Sequence, residues 1–273
     1  MTQRGPASSL LFLYLILLAG AVIGCGTMTN GRGWGQDATL APGWARVGQA
    51  VLNAAAAPET WGSAAGALAF QVNDADRKVT EWAAKKTPVF GSQERADRMS
   101  YDLRDAAGAI WIASAVTAPS GNSAYDWSIA KAKGLGVQEG AGVFMRGTVG
   151  ILKDGAARTR PNGIDTDSFP SAHATGAAFY ATLASRNLDA LQWSPAVTTA
   201  SQFGLGALTA ATAWARLEAN QHYPSDVLGG IALGHFLGAF FTEAFVGLDN
   251  PRKAMMVVEP LREGVVAMLR FNY

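Results

Sequence analysis

Three short fragments of this 273-residue chain, Lys153-x6-Arg160-Pro161, Pro170-Ser171-Ala172-His173 and Arg216-x5-His222-x3-Asp226, collect three cations, two imidazoles and one carboxylate. Two of the chain's three histidines fall inside them, each beside a helix start signal. A fold that uses this inventory jointly must bring the ends of several successive segments to one place. The inventory suits phosphoryl transfer, whose transition state spreads negative charge over three equatorial oxygens and is stabilised by fixed donors. Lys153, Arg160 and Arg216 can supply them, the arginines as planar forks that meet two oxygens at once and the lysine as a point charge.

Local signals place these groups. Pro224 favours the first helical position, which puts Asp226 in the first turn, within reach of His222. A carboxylate there holds one ring nitrogen as a donor and leaves the other as an outward lone pair, so His222 is the expected nucleophile. Ser171 is the expected N-cap of a helix that continues through Ala172, His173 and a run of small residues. The free N–H groups at such an end, including that of Ala172, attract phosphate.

These fragments resemble the signature of the type 2 phosphatidic acid phosphatase superfamily, written KxxxxxxRP, PSGH and SRxxxxxHxxxD. The resemblance spans about 75 residues, and its linked motifs are far more specific together than singly. It implies a metal-independent phosphatase in which His222 forms a phosphohistidine, His173 protonates the leaving oxygen and Asp226 partners His222. Lys153, Arg160, Ser171, Ala172 and Arg216 would hold the phosphate, and no cofactor is expected. Two positions depart from the signature: Ala172 stands for glycine and Ala215 for serine. The Ala172 methyl could narrow the approach to the anion, and loss of a hydroxyl at Ala215 weakens a supporting hydrogen bond worth about 1 kcal/mol.

Gly, Pro and Asn punctuation predicts an all-α helical bundle, of the type shared by these phosphatases and the vanadium haloperoxidases. Short amphipathic helices are expected over 45–86, a long helix over 95–118, and further helices over 124–133, 141–153, 171–185, 195–217 and 224–246. The polar segment 154–169 should be a loop that delivers Arg160. Within it, Arg158 lies outside the fixed motif positions and is expected to face water or the mouth of the site. His235, in an apolar run without a carboxylate near it in sequence, reads as a helix-packing residue. A small C-terminal β-hairpin is expected within 254–273.

At the amino terminus Arg4 precedes the apolar run Leu10 to Leu18, and Val22-Ile23-Gly24-Cys25 follows at the spacing of an export cleavage site. That tetrapeptide resembles a bacterial lipobox, which makes residues 1–24 a signal peptide and Cys25 a lipidated first residue. Gly26 at the next position resembles the sorting pattern for an outer membrane. Residues 25–43 then read as a tether, and 44–273 as the phosphatase-like domain with an amino-terminal helical extension over 44–90. The expected site of action is the cell envelope, facing the periplasm. Cys25 is the only cysteine, so an intrachain disulfide is impossible. A net charge of +1 argues against a nucleic-acid partner. The longest apolar run, 227–246, carries His235, Glu243 and several glycines, which favours a water-soluble domain over a membrane-spanning bundle.

The expected substrate is a lipid phosphate or diphosphate, favoured by proximity to a bilayer, with a nonspecific acid phosphatase acting on small phosphoesters as the alternative. A vanadate-dependent haloperoxidase, which would hold vanadate in the same cradle, is the second enzyme class. Chain length favours the phosphatase. A lipoprotein whose degenerate site binds anionic head groups is the non-enzymatic reading, and retention of both histidines and Asp226 speaks against it.

Overall fold

A computed structural model describes residues 25–248, 254–261 and 264–271. The proposed signal peptide, residues 1–24, lies outside the described residues. The helices are α1 (Trp44–Ala56), α2 (Pro58–Ala69), α3 (Ala75–Lys86), α4 (Gln93–Thr117), α5 (Ala124–Ala156), α6 (Ala172–Asp189), α7 (Pro195–Glu218) and α8 (Pro224–Phe241), the last extended by a π-helical turn, Thr242–Val246. An antiparallel hairpin of β1 (Ala254–Leu261) and β2 (Gly264–Phe271) follows, with Ala254 opposite Phe271 and Leu261 opposite Gly264. The architecture is the all-α bundle expected from the sequence.

Local chemistry sets where these helices begin. Ser92, Ser123, Ser171 and Ser194 each accept a hydrogen bond from the N–H three residues on, capping α4, α5, α6 and α7. Pro58, Pro195 and Pro224 occupy first helical positions, where the missing N–H costs no intrahelical bond.

The centre of the bundle is α6, which packs on α8, α4 and α7, while α2 covers another part of α8. Phe179 and Leu183 of α6 are fully buried, and Trp111, Met145, Val149, Leu205 and Leu237 from four neighbouring helices close the same core. Burying a side chain of this size contributes about 1.5–3 kcal/mol. Contact between α6 and α8 is closest along Gly230, Gly234 and Gly238, spaced four residues apart and so on one helical face. A Cβ at Gly234 would stand 2.2 Å from the Thr175 carbonyl oxygen. The missing side chains let α8 press onto α6, which brings the amino-terminal ends of both helices, with His173 and Asp226, side by side.

Two expectations are corrected. The helices predicted over 124–133 and 141–153 are one helix, α5, running unbroken through Gly134, Gly136 and Gly140. An interior glycine costs only about 1 kcal/mol relative to alanine, and Gly134 is positioned to accept the Trp34 ring, which lies 2.5 Å from where its Cβ would be. Residues 25–43 are not a loose tether. Gly26 exchanges backbone hydrogen bonds with Gly121 in the α4–α5 turn, and Trp34 is fully buried with its indole N–H donating to Asn187 Oδ1 at 2.9 Å. Lys131 closes over Trp34 at 4.7 Å and donates to the Ala118 carbonyl at 2.5 Å and to that of Ala115, which ties this segment to the end of α4.

His235 packs α8 against α2, as expected, with Nδ1 2.8 Å from Thr60 Oγ1; Glu59, remote in sequence, lies 3.8 Å from its other nitrogen. Among the described residues, one helical run, Pro224–Val246, is long and apolar enough to cross a membrane, and half of it is buried within the protein.

Candidate active site

One end of the bundle gathers the amino-terminal ends of α4, α6 and α8 with the carboxyl-terminal ends of α5 and α7. A cavity of about 270 Å³ opens there, lined by Asp97, Tyr101, Lys153, Arg160, Asp165, Asp167, Ala172, His173, Arg216, Gln221 and His222. The three sequence-predicted cations and both predicted histidines therefore share one wall. Ala172 also lines the cavity, as the first residue of α6. Ser171 does not: fully buried, it caps α6 with its hydroxyl and donates its N–H to the Asp226 carbonyl at 3.1 Å.

Each cation is held from behind or beside. Arg216, at the end of α7, donates through Nη1 to Asp97 Oδ1 at 2.5 Å and to Ser100 Oγ at 2.9 Å, both on α4. Arg160 donates to Asp165 Oδ1 at 2.5 Å and to Gln221 Oε1 at 2.9 Å. Lys153, in the last turn of α5, donates to the Asp167 carbonyl. Glu218, fully buried two residues after Arg216, accepts the N–H groups of Val89 and Phe90 at 2.9 Å each and the Trp214 indole at 2.6 Å, which fixes the α3–α4 connection against α7.

His222 is almost fully buried. Its Nδ1 lies 2.7 Å from the Ser168 carbonyl, which can only accept, so Nδ1 carries the proton and Nε2 the lone pair. Arg160 Nη1 stands 3.4 Å from Nε2. The carboxylate expected to orient the ring does not touch it directly: Asp226 Oδ2 is 3.9 Å from Nδ1. It accepts instead from Ser168 Oγ at 2.5 Å and from the Tyr223 N–H at 2.8 Å, so its grip on His222 passes through Ser168. The other carboxylate oxygen, Asp226 Oδ1, accepts from Arg158 Nη1 at 2.6 Å.

Arg158 thus overturns the expectation that it faces water or the mouth of the site. It also donates to Ser225 Oγ at 2.7 Å and to Asp76 Oδ2 at 2.8 Å, and its guanidinium lies over the Tyr223 ring at 4.4 Å. Asp76 comes from α3, in the amino-terminal extension, and accepts from the Ser225 N–H at 2.8 Å and from the Ser225 hydroxyl.

Electrostatics follow from burial among cations. Burial, then the charges of Arg216, Arg104, Arg160 and Lys153, lowers His173 to about 3. Its ring stands edge-on to Tyr101 with centroids 4.2 Å apart, and its Nε2 is buried with no hydrogen-bond partner among the described residues. Burial, followed by Arg216, Arg160 and Lys153, holds His222 well below its ordinary value against the opposing pull of the Ser168 carbonyl. Lys153 is lowered by burial and by Arg160. Asp226 is raised by burial, against its hydrogen bonds and the Arg158 charge. Burial and the surrounding cations keep both imidazoles neutral, and a bound phosphate dianion would offset the cations' share.

Sequence reasoning missed Asp97 and Tyr101, which sit four apart on one face of α4, and Asp165, Asp167 and Gln221, each within five residues of a motif position. The helical spacing of the first pair and the adjacency of Gln221 to His222 were the available signals.

Residues 139–248, which contain Lys153, Arg160, His173, Arg216, His222 and Asp226, match the family described as PAP2 superfamily. Among solved structures the chain is similar to the first transmembrane PAP2 type phosphatidylglycerolphosphate phosphatase from Bacillus subtilis. The two share 20% identity with a TM-score of 0.49, over 67% of this chain and 92% of that one. No curated protein matches the chain significantly.

Proposed function

We propose that this protein is a metal-independent phosphatase acting through a phosphohistidine on His222. The observation that carries the reading is the convergence of Lys153, Arg160, Arg216, His173 and His222 on one small cavity. Its supports are the PAP2 superfamily match over the motif-bearing segment and the hydrogen bond that frees His222 Nε2.

In the first step the Nε2 lone pair attacks phosphorus in line and the bond to the alcohol oxygen breaks. That oxygen takes a proton from His173, and the phosphorylated ring keeps its Nδ1 proton on the Ser168 carbonyl. In the second step His173 takes a proton from water, whose oxygen attacks phosphorus. The phosphorus–nitrogen bond breaks, the electron pair returns to Nε2, and phosphate leaves. Lys153, Arg160, Arg216 and the Ala172 N–H carry the oxygens' charge in both steps.

The proposed substrate is a phosphate ester or diphosphate with an apolar alcohol, a lipid phosphate. Tyr101, half-exposed on the cavity wall, offers apolar surface there. The proposed location is the cell envelope, with Cys25, exposed in the structure, as the lipidation site.

Rapid quenching with a radiolabelled phosphoester in the presence of a chelator tests the chemistry. An acid-labile, base-stable phosphoprotein is expected in the wild type and none in His222→Ala; turnover near the wild-type rate in that variant would refute the nucleophile. Bromide oxidation with vanadate and peroxide, without phosphoester hydrolysis, would instead indicate a haloperoxidase.

A further inference from the structure

The amino-terminal extension reaches the site through one chain of contacts that the motif positions do not include. Asp76, near the start of α3, and Asp226, in the first turn of α8, lie on either side of Arg158. The guanidinium donates 2.8 Å to Asp76 Oδ2 and 2.6 Å to Asp226 Oδ1. Asp226 is fully buried and Asp76 nearly so. The Asp226 carboxylate, in the first turn of α8 and four residues beyond His222, stops 3.9 Å from the ring Nδ1, while the Ser168 carbonyl accepts the ring N–H. The two Asp226 oxygens are already occupied, Oδ1 by Arg158 and Oδ2 by Ser168 and the Tyr223 N–H.

Resting on the reading of His222 as nucleophile, we propose that Arg158, gripped by Asp76, is a positioning residue. It draws the Asp226 carboxylate away from the His222 ring, so that the imidazole is oriented by the Ser168 carbonyl. A direct carboxylate contact would stabilise the imidazolium; a neutral carbonyl orients the ring with less of that effect and keeps Nε2 unprotonated to lower pH. The other charged groups around the ring are Arg216 from α7, Lys153 at the end of α5 and Arg160 on the loop that follows. Asp165 and Asp167 on that loop, Asp97 on α4 and the neutral His173 on α6 complete the set. The α3 layer is then part of the catalytic apparatus through Asp76.

The test is the acidic limb of the kcat/KM profile, read beside the imidazole titration of His222 by nitrogen-15 NMR on the full chain. With three histidines in the sequence, the signal is assignable by His173→Gln and His235→Asn controls. Arg158→Met should move both the limb and the His222 titration upward by about one pH unit, about a tenfold loss of kcat/KM below the limb. Arg158→Lys, which keeps the charge, should hold both near their wild-type positions. If the methionine variant does not fold, Arg158→Gln, which is polar but likewise uncharged, is read in its place. An unmoved limb and titration in the uncharged variant would overturn the proposal, as would an equal shift in Arg158→Lys. Failure of the underlying reading is distinct, because it shows as turnover in His222→Ala whatever Arg158 does.

Discussion

Gly26 and Gly121 exchange both backbone hydrogen bonds, at 3.0 and 2.8 Å, and this pairing fixes the residue after Cys25 to the end of the bundle opposite the cavity. Asp97, on the cavity wall, and Thr117, at the end of α4 beside that pairing, are separated by about 30 Å of helix at 1.5 Å per residue. An anchor on Cys25 would therefore carry the cavity away from the bilayer that holds it, with Trp34 preventing the intervening chain from paying out.

Accordingly, the enzyme attached to a vesicle through Cys25 should hydrolyse a lipid phosphate in separate vesicles, or a soluble phosphoester, faster than the same lipid in its own bilayer. Coupling the single cysteine of the full chain to maleimide-bearing vesicles and comparing the three rates checks this. A marked preference for substrate in the same bilayer would show that residues 25–43 detach.

Trp34 gives a companion prediction on stability. Its indole is wholly buried, hydrogen-bonded to Asn187 and capped by Lys131, so Trp34→Ala should cost about 3–5 kcal/mol in urea unfolding. Because the site lies at the other end of the bundle, kcat of the folded fraction should change less than twofold.

Substrate binding should take up protons. His173 is held near 3 by burial and four cations, and a phosphate dianion placed among those cations reverses much of their effect. Calorimetric titration of the protein with inorganic phosphate at pH 7.5, in buffers of different ionisation enthalpy, should show net proton uptake. His173→Gln should abolish most of it. Heats independent of the buffer would mean that His173 does not gain the proton it is proposed to donate.

The same groups set the direction of acid sensitivity. His173, lowered to about 3, and His235, lowered to about 4, bind protons more readily unfolded than folded, and His222 is shifted the same way. Their contribution is complete above the ordinary histidine value near 6.5 and is lost as pH falls toward 4 and 3. Asp226, raised by burial, works in the opposite sense but is one group against three. Stability from urea unfolding should therefore fall between pH 7 and pH 4.5. The slope per fully linked group is up to about 1.4 kcal/mol per pH unit, and His235→Asn should flatten it.

The sequence carried much of this architecture because its cues are local. Serine caps and first-turn prolines mark the starts of six of the helices, and three motif fragments mark the cavity wall. The misreadings have a common physical origin in long-range contact. Trp34 sits in a stretch with no periodicity, and only Asn187 and Lys131, more than ninety residues away, make it a core residue. Arg158 looked like solvent-facing surface because its partners, Asp76 and Asp226, are 82 and 68 positions distant. Ser168 holds the His222 ring through its backbone carbonyl, a group every residue has, so no residue type could announce that contact.

Gly234 offers the sharpest test of how packing sets the site. A methyl there would meet the Thr175 carbonyl at 2.2 Å, backbone against backbone, so neither α6 nor α8 can yield without moving its amino-terminal end. Gly234→Ala should destabilise the protein by about 1–3 kcal/mol and should also lower kcat, since His173 and Asp226 head the two helices being forced apart. Gly204, on the exposed face of α7 with nothing within 4 Å of a would-be Cβ, is the matching control. Gly204→Ala should raise stability by about 0.5–1 kcal/mol through helix propensity alone and leave kcat unchanged. Equal responses at the two positions would mean that the approach of α6 to α8 is not what holds the imidazole of His173 against the loop and helix that carry His222.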